Sequence, residues 1–222
     1  MVTVYDAIAM QENINLYGGQ HGKVKEVLDN KTFIKHGHVE FSIGNKYGVT
    51  FVTFMGSHGN SDWLDDFKFW KEKQKIDTFF AKIHHGIEEQ WDFVYPFVDK
   101  ELRYIDKDIM FNGHSLGGGL AQRAALHYIG KKAFAISTFG SLRIMDPFTA
   151  HHFNKNVVNS KRFVYKHDIV ASVPTAWMNF KHVKGLIKLG EQTFWDKLNP
   201  FDNFDDHEPV HYLREIKKIL AI

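Results

Sequence analysis

The residues with the clearest chemical potential are Gly113-His114-Ser115-Leu116-Gly117, a G-x-S-x-G pattern set between the apolar run Ile109-Met110-Phe111 and a helix-forming stretch. A serine at the sharp turn between strand and helix presents its hydroxyl outward. The flanking glycines let the two elements pack with no side chain between them. The first free N–H groups of the following helix favour negative charge developing at that point. A serine hydroxyl is a weak nucleophile until a base takes its proton and an acid holds that base in one tautomer. Asp168, just after the segment Arg162–Lys166, stands where the acid is needed, and His207, in a polar loop before the last amphipathic run, where the base is needed. The order serine, acid, histidine is one that such triads take. His211 competes for the role of base, but it would lie inside the first turn of a helix, where reaching Ser115 is harder. His114 reads as a packed neighbour of the nucleophile, and Asp168 is also a residue type that turns favour for local reasons.

These side chains need a frame. The pattern places a first helix over residues 5–17, with Gly18-Gly19 as its stop. Strands follow at Lys23–Leu28, His38–Ile43 and Tyr47–Met55, the last two joined by a turn at Gly44-Asn45-Lys46. Asp65 to about Lys75 reads as a short helix with Trp63, Phe67 and Trp70 on one face. A longer helix, Gly86–Leu102, carries Ile87, Trp91, Val94 and Val98 inward, and Pro96 must kink or split it. After the serine turn come a helix to about Tyr128 and strands at Ala133–Phe139 and Arg162–Lys166. Phe180–Leu189 reads as a strand or hairpin, and residues 190–204 as irregular. A last helix, Pro209–Leu220, has Val210, Leu213, Ile216 and Leu220 as its apolar stripe. Gly118 and Gly119 are poor helix formers, costing about 1 kcal/mol each relative to alanine, so the backbone there is expected to lie close to something. Strands and helices alternate from the centre onward. This predicts an α/β fold, a mostly parallel central sheet with helices on both faces, in a single domain over residues 1–222.

Composition narrows the partners. The net charge is +2 with scattered lysines, which argues against nucleic acid. The absence of cysteine excludes disulfides, thiol catalysis and cysteine-based metal sites. The 14 histidines include His36 and His38 on one strand face and the doublets His84-His85 and His151-His152. The His36/His38 pair and the two doublets lack the H-x-x-x-H helical spacing or an ordered acidic partner, so neither a metal nor an organic cofactor is expected. No stretch approaches a transmembrane span and no signal peptide is evident, which makes the cytoplasm the default expectation. The aromatic content of 15% fits either an aromatic core or an acyl-binding groove.

Several motifs in order resemble the class 3, fungal-lipase-like lipases of the α/β-hydrolase fold. Val52-Thr-Phe-Met-Gly-Ser57 with Asp62-Trp63 looks like that family's strand, oxyanion loop and Asp-Trp pair. His84-His-Gly86 is similar to its short motif before the long helix, and Gly113-His-Ser-Leu-Gly-Gly118 to its nucleophile elbow. Thr138-Phe-Gly-Ser-Leu-Arg143 resembles its Phe-Gly-x-Pro-Arg. His167-Asp-Ile-Val-Ala-Ser-Val-Pro174 resembles its acid motif, and Asp206-His207 with Tyr212 its final signature. The resemblance runs from about Tyr47 to the C-terminus. The sequence departs from it at Met55, where the family has Arg, and at Ser141 and Ala171, where it has Pro.

The resemblance implies Ser115 as nucleophile, Asp168 as acid and His207 as general base. It also implies an oxyanion hole made by the backbone N–H groups of Ser57 and Leu116, one such donor being worth about 3–4 kcal/mol. His182 matches a family histidine read as structural. Trp63, Leu64, Phe67, Phe69 and Trp70 form a candidate lid that opens at lipid surfaces, or else pack into the core. The expected activity is a lipase or esterase that cleaves acyl esters, acylglycerols first, through an acyl-enzyme. Phospholipase A1-type cleavage, acyl transfer at the same site and a non-catalytic binding scaffold are the alternatives.

Overall fold

Strand β6 (Ile109–His114) is buried along its whole length, as a strand must be when both faces of its sheet are covered. In the computed structural model the described residues are all except 21, 37–38, 57–70, 77–78, 133 and 192–204. Among them, β6 lies in the middle of a seven-stranded sheet. The other strands are β1 (Asp29–His36), β2 (Val39–Lys46), β3 (Val49–Phe54), β7 (Phe134–Phe139), β8 (Ser160–Tyr165) and β9 (Leu186–Leu189), in the order β1-β2-β3-β6-β7-β8-β9. From β3 through β9 every pairing in this sheet is parallel, and β2 alone runs opposite, paired antiparallel with both β1 and β3. Helices α1 (Val4–Leu16) and α5 (Pro209–Leu220) cover one face; α2 (His85–Leu102), α3 (Leu116–Tyr128) and α4 (Pro147–Asn156) cover the other. The expected α/β-hydrolase architecture is present.

Several local expectations are corrected. Lys23–Leu28 is not a strand. Its backbone is taken up by α1 instead, Gln11 Nε2 donating to the Lys23 carbonyl at 3.0 Å and Asn15 bonding both the N–H and the carbonyl of Lys25 at 2.9 and 2.8 Å. The β2–β3 turn is Tyr47-Gly48, not residues 44–46, with φ of 48° and 79°, the two positive values that match a two-residue hairpin to strand twist. Lys71–Ile76 is β4, paired antiparallel with β5 (Phe79–His84), rather than the end of a helix. Residues 65–70 of that expected helix lie outside the described residues. Helix α2 runs unbroken past Pro96, whose ring is on the exposed side, where water takes the freed carbonyl. Only Leu186–Leu189 of the 180–189 segment joins the sheet. Most of the irregular stretch 190–204 lies outside the described residues.

Helix α4 escaped the sequence reading, although Asp146 caps it by accepting from the Thr149 N–H at 2.9 Å and Pro147 opens it. In α5 the buried stripe is Pro209, Tyr212, Leu213 and Ile216, while Val210 is 42% exposed. Tyr212 therefore points inward, toward the end of the sheet that carries the acid.

Helix α1 is seated by polar groups. Asp6 accepts from Ser137 on β7 at 2.7 Å and pairs with Lys161 on β8 at 2.7 Å; Glu12 accepts from Ser42 on β2 at 2.8 Å. Asn13 donates to Asn112 on β6 at 3.0 Å. On the opposite face α2 and α3 are joined by Glu88 and Arg123, whose bidentate contacts are both 2.7 Å with side chains 1% and 5% exposed.

Two outcomes follow for stability. Arg123→Ala leaves the Glu88 carboxylate buried and alone, and is expected to lower the unfolding free energy by about 3–5 kcal/mol in urea titrations; an unchanged midpoint would remove the pair from the packing scheme. His84 is fully buried against Phe180, and burial, with nearby His85 and Lys71, holds its imidazole down to about 4. Folding thus favours the neutral ring, so its contribution is complete above the ordinary value of about 6.5 and is lost as pH falls from there to about 4. His84→Leu is expected to flatten the pH dependence of the denaturation midpoint across that window relative to the parent protein.

Candidate active site

The site is built where β6 hands over to α3. Ser115 sits between them with φ 57° and ψ −126°, a backbone state that costs a non-glycine residue about 1–3 kcal/mol and needs its surroundings to hold it. Those surroundings are backbone in contact with backbone. A Cβ on Gly113 would lie 2.2 Å from the Gly117 carbonyl, and a Cβ on Gly117 would lie 2.1 Å from the Phe54 oxygen at the end of β3. The next turn is equally close, since side chains at Gly118 and Gly119 would strike Ser141 and Ile87. The Ser115 N–H is tied to the Phe139 carbonyl at 2.9 Å. Leu116 is the first residue of α3, so its N–H has no acceptor within the helix and faces the region of the serine.

Asp168 is 2% exposed and follows β8 through a tight turn in which its N–H bonds the Tyr165 carbonyl at 3.0 Å. Its Oδ1 accepts from the Val170 N–H at 2.8 Å, and its Oδ2 accepts from both His207 Nδ1, at 2.8 Å, and the Tyr212 hydroxyl. Gly140, with φ 54°, leaves room for this cluster: a Cβ there would lie 2.4 Å from Asp168 Oδ2 and 2.9 Å from His207 Nδ1. Burial, then the charge and hydrogen bond of Asp168, raise the Tyr212 phenol well above its ordinary value. Tyr212 therefore remains a proton donor to the carboxylate throughout the working range of pH.

With Nδ1–H given to Asp168, His207 keeps the lone pair of Nε2. Its ring stacks on that of His114 with centroids 4.4 Å apart, and its backbone carbonyl accepts from His114 Nε2 at 2.8 Å. The remaining nitrogen of His114 meets the Tyr17 hydroxyl at 3.1 Å, and the His114 N–H donates to Asn13 Oδ1 at 2.9 Å. Burial raises the Tyr17 phenol, so it too remains protonated. His114 is thus a spacer that sets the height of His207 beside the residue next to the serine.

The structure brings Asp168 and His207 into direct contact and places His207 against the neighbour of Ser115. Among the described residues no hydrogen bond joins the Ser115 hydroxyl to the His207 imidazole. His211 lies elsewhere, stacked on Tyr165 at 5.1 Å with Nε2 3.7 Å from Asp205. His182 donates Nε2–H to the Ala171 carbonyl at 2.6 Å, a structural contact. Ser57 and the candidate lid residues Trp63, Leu64, Phe67, Phe69 and Trp70 lie outside the described residues. Gly56, just before them, is against the serine, since a Cβ there would be 3.2 Å from Ser115 Cβ. Among the described residues there is no group of His, Asp and Glu arranged to hold a metal ion. Among the described residues no helix is long and apolar enough to cross a membrane.

His114 is the packed neighbour of Ser115 that the sequence led us to expect, whereas the roles of Asn13 and Tyr17 were not foreseen. The available signal was in α1, whose Asp6, Gln11, Glu12 and Asn13 are all buried, polar types at positions that a helix of this kind would normally give to apolar ones.

Comparison with known proteins bears on the fold and the lineage. A model of the family described as lipase (class 3) matches residues 51–178, a span that holds Ser115 and Asp168 and stops before His207. The lipase of Rhizomucor miehei is 26% identical over 150 residues, covering 63% of this chain and 41% of its own length; the chain thus spans about two fifths of that relative. Among solved structures, Rhizomucor miehei triacylglyceride lipase superposes with a TM-score of 0.74 at 20% identity over 92% of each chain. Lipase II from Rhizopus niveus does so with a TM-score of 0.72 at 20% identity, again over 92% of each chain. At such identities these likenesses establish the fold, while the matched span, more than half of the sequence, establishes the lineage: the chain belongs to the class 3 lipase family.

Proposed function

We propose that this chain is a serine carboxylic-ester hydrolase, with Ser115 as nucleophile, His207 as general base and acid, and Asp168 as the carboxylate that orients it. The observation that carries the reading is the 2.8 Å contact between His207 Nδ1 and a buried Asp168, next to a serine held at φ 57° at the head of a helix. Ser115 Oγ attacks the ester carbonyl while His207 Nε2 takes its proton. The imidazolium is stabilised by Asp168, whose Oδ2 Tyr212 also holds. The carbonyl oxygen, now negative, is received by the backbone N–H groups of Leu116 and Ser57. His207 then returns the proton to the departing alcohol, leaving an ester on Ser115, and water repeats the sequence to release the acid. Each proton transfer uses a side chain of this protein.

Acylglycerols are the proposed substrates, in keeping with the Rhizomucor miehei protein, a triacylglyceride lipase. A fluorophosphonate probe is expected to label the parent protein and not Ser115→Ala; labelling of the variant would move the nucleophile elsewhere. His207→Ala is expected to lose several orders of magnitude in turnover of p-nitrophenyl esters while His211→Ala changes little, and the reverse pattern would exchange their roles. Hydrolysis of short esters alone, with none of defined glycerides, would keep the esterase and reject the acylglycerol assignment.

Tyr212→Phe removes one of the two side-chain donors to Asp168 Oδ2 without altering shape. The expected result is a turnover about tenfold lower with KM nearly constant, the hydrogen bond being worth about 1.5–3 kcal/mol to a charged acceptor. An unchanged pH–rate profile would show that the tyrosine does not act through the histidine.

A further inference from the structure

A second polar cluster lies on the face of the sheet opposite α1, below the segment that follows Asp168. On β7, Ser137 and Phe139 face α1 and α5, so Thr138 between them faces the other way. Its register partner on β8 is Arg162, which therefore shares that face. Thr138 is 1% exposed and Arg162 7% exposed, yet the Thr138 hydroxyl and the Arg162 Nε–H have no hydrogen-bond partner among the described residues. Arg143 lies on the loop side, its guanidinium donating to the carbonyls of Ser172 and Pro174. His182 stands beside it on the Ala171 carbonyl.

Two guanidinium groups and His182 meet here. Neither arginine forms an ion pair with any carboxylate of the described residues. Burial and then the charge of Arg162 and Arg143 push the His182 imidazole down to about 3, and burial with Arg143 lowers Arg162 to about 10. A guanidinium taken out of water without a counter-charge is costly. Water would satisfy the two orphan donors but would leave the charge unneutralised, whereas a small anion does both.

We infer that this cluster binds a small monovalent anion of the chloride class, received by Arg162 Nε–H and the Thr138 hydroxyl within the field of Arg143. The anion ties β7 and β8 together below the loop that carries the acid, and its binding is independent of any ester substrate.

Thermal unfolding in sodium chloride, sodium bromide and sodium gluconate at equal ionic strength tests this. With the halide at about ten times its dissociation constant, the midpoint is expected to stand about 3–5 °C above that in gluconate and to saturate. Thr138→Val preserves shape and removes one donor, and is expected to lose most of the halide-specific rise; Arg162→Gln is expected to lose it all. Equal midpoints in the three salts, or a rise that survives in the variants, overturns the assignment. A cluster holding only water gives no halide dependence. If Arg162→Gln does not fold, Thr138→Val decides alone, because deleting an orphan hydroxyl from a site without an anion leaves stability unchanged or raised in every salt. An anomalous peak between Arg162 and Thr138 in bromide-grown crystals is the direct readout.

Discussion

The contact on which the rest of this molecule depends has no side chains in it. Where β6 becomes α3, backbone lies on backbone, with Gly113 against Gly117 and Gly117 against the last carbonyl of β3. Packing this close leaves the intervening residue one way to turn, into the positive-φ state of Ser115, and that turn lifts the hydroxyl out of the sheet. Helix α3 starts immediately afterwards, so its first unpaired N–H groups lie beside the serine. Strain at Ser115, its place at the head of a helix and a favourable environment for negative charge are three results of one steric condition.

Around that point the polar groups form a continuous chain. Tyr212 and His207 share one oxygen of Asp168, His114 lies under the His207 ring and holds its carbonyl, and Tyr17 meets the far side of His114. Both tyrosines are buried and stay protonated. Among the described residues every member except the outer nitrogen of His207 is committed to a neighbour, and in the proposed mechanism that nitrogen accepts the proton. The orientation of the His207 ring is thus fixed from two directions, from the loop after β8 and from the N-terminal helix.

Much of this was readable beforehand where a local rule applied. The elbow, the burial of β6, the parallel centre and the bounds of α5 follow from spacing and periodicity, because glycine, proline and apolar repeats act over a few residues. Asp168 and His207 were readable as loop residues in the right order, but their contact is made by the fold. What escaped depends on distant partners. Lys23–Leu28 alternates like a strand, yet α1 captures its backbone through Gln11 and Asn15 before any strand can. Lys71–Ile76 is charged enough to pass for a helix, and only its pairing with β5 makes it a strand. Asn13 and Tyr17 carried no motif, since their value lies in bonds to residues about a hundred positions away.

The way α1 is held has a consequence for how the protein can be cut and recombined. Its polar side chains reach β2, β6, β7 and β8, crossing four strands of the sheet. A generic amphipathic helix grafted in its place would cover the same apolar area and still leave Ser42, Asn112, Ser137 and the elbow N–H of His114 without acceptors or donors. The segment matched by the family starts only at residue 51, so the smallest fragment that keeps the elbow in register has to begin well upstream of that boundary. Chimeras with related proteins should therefore exchange the first helix and the central strands as one block.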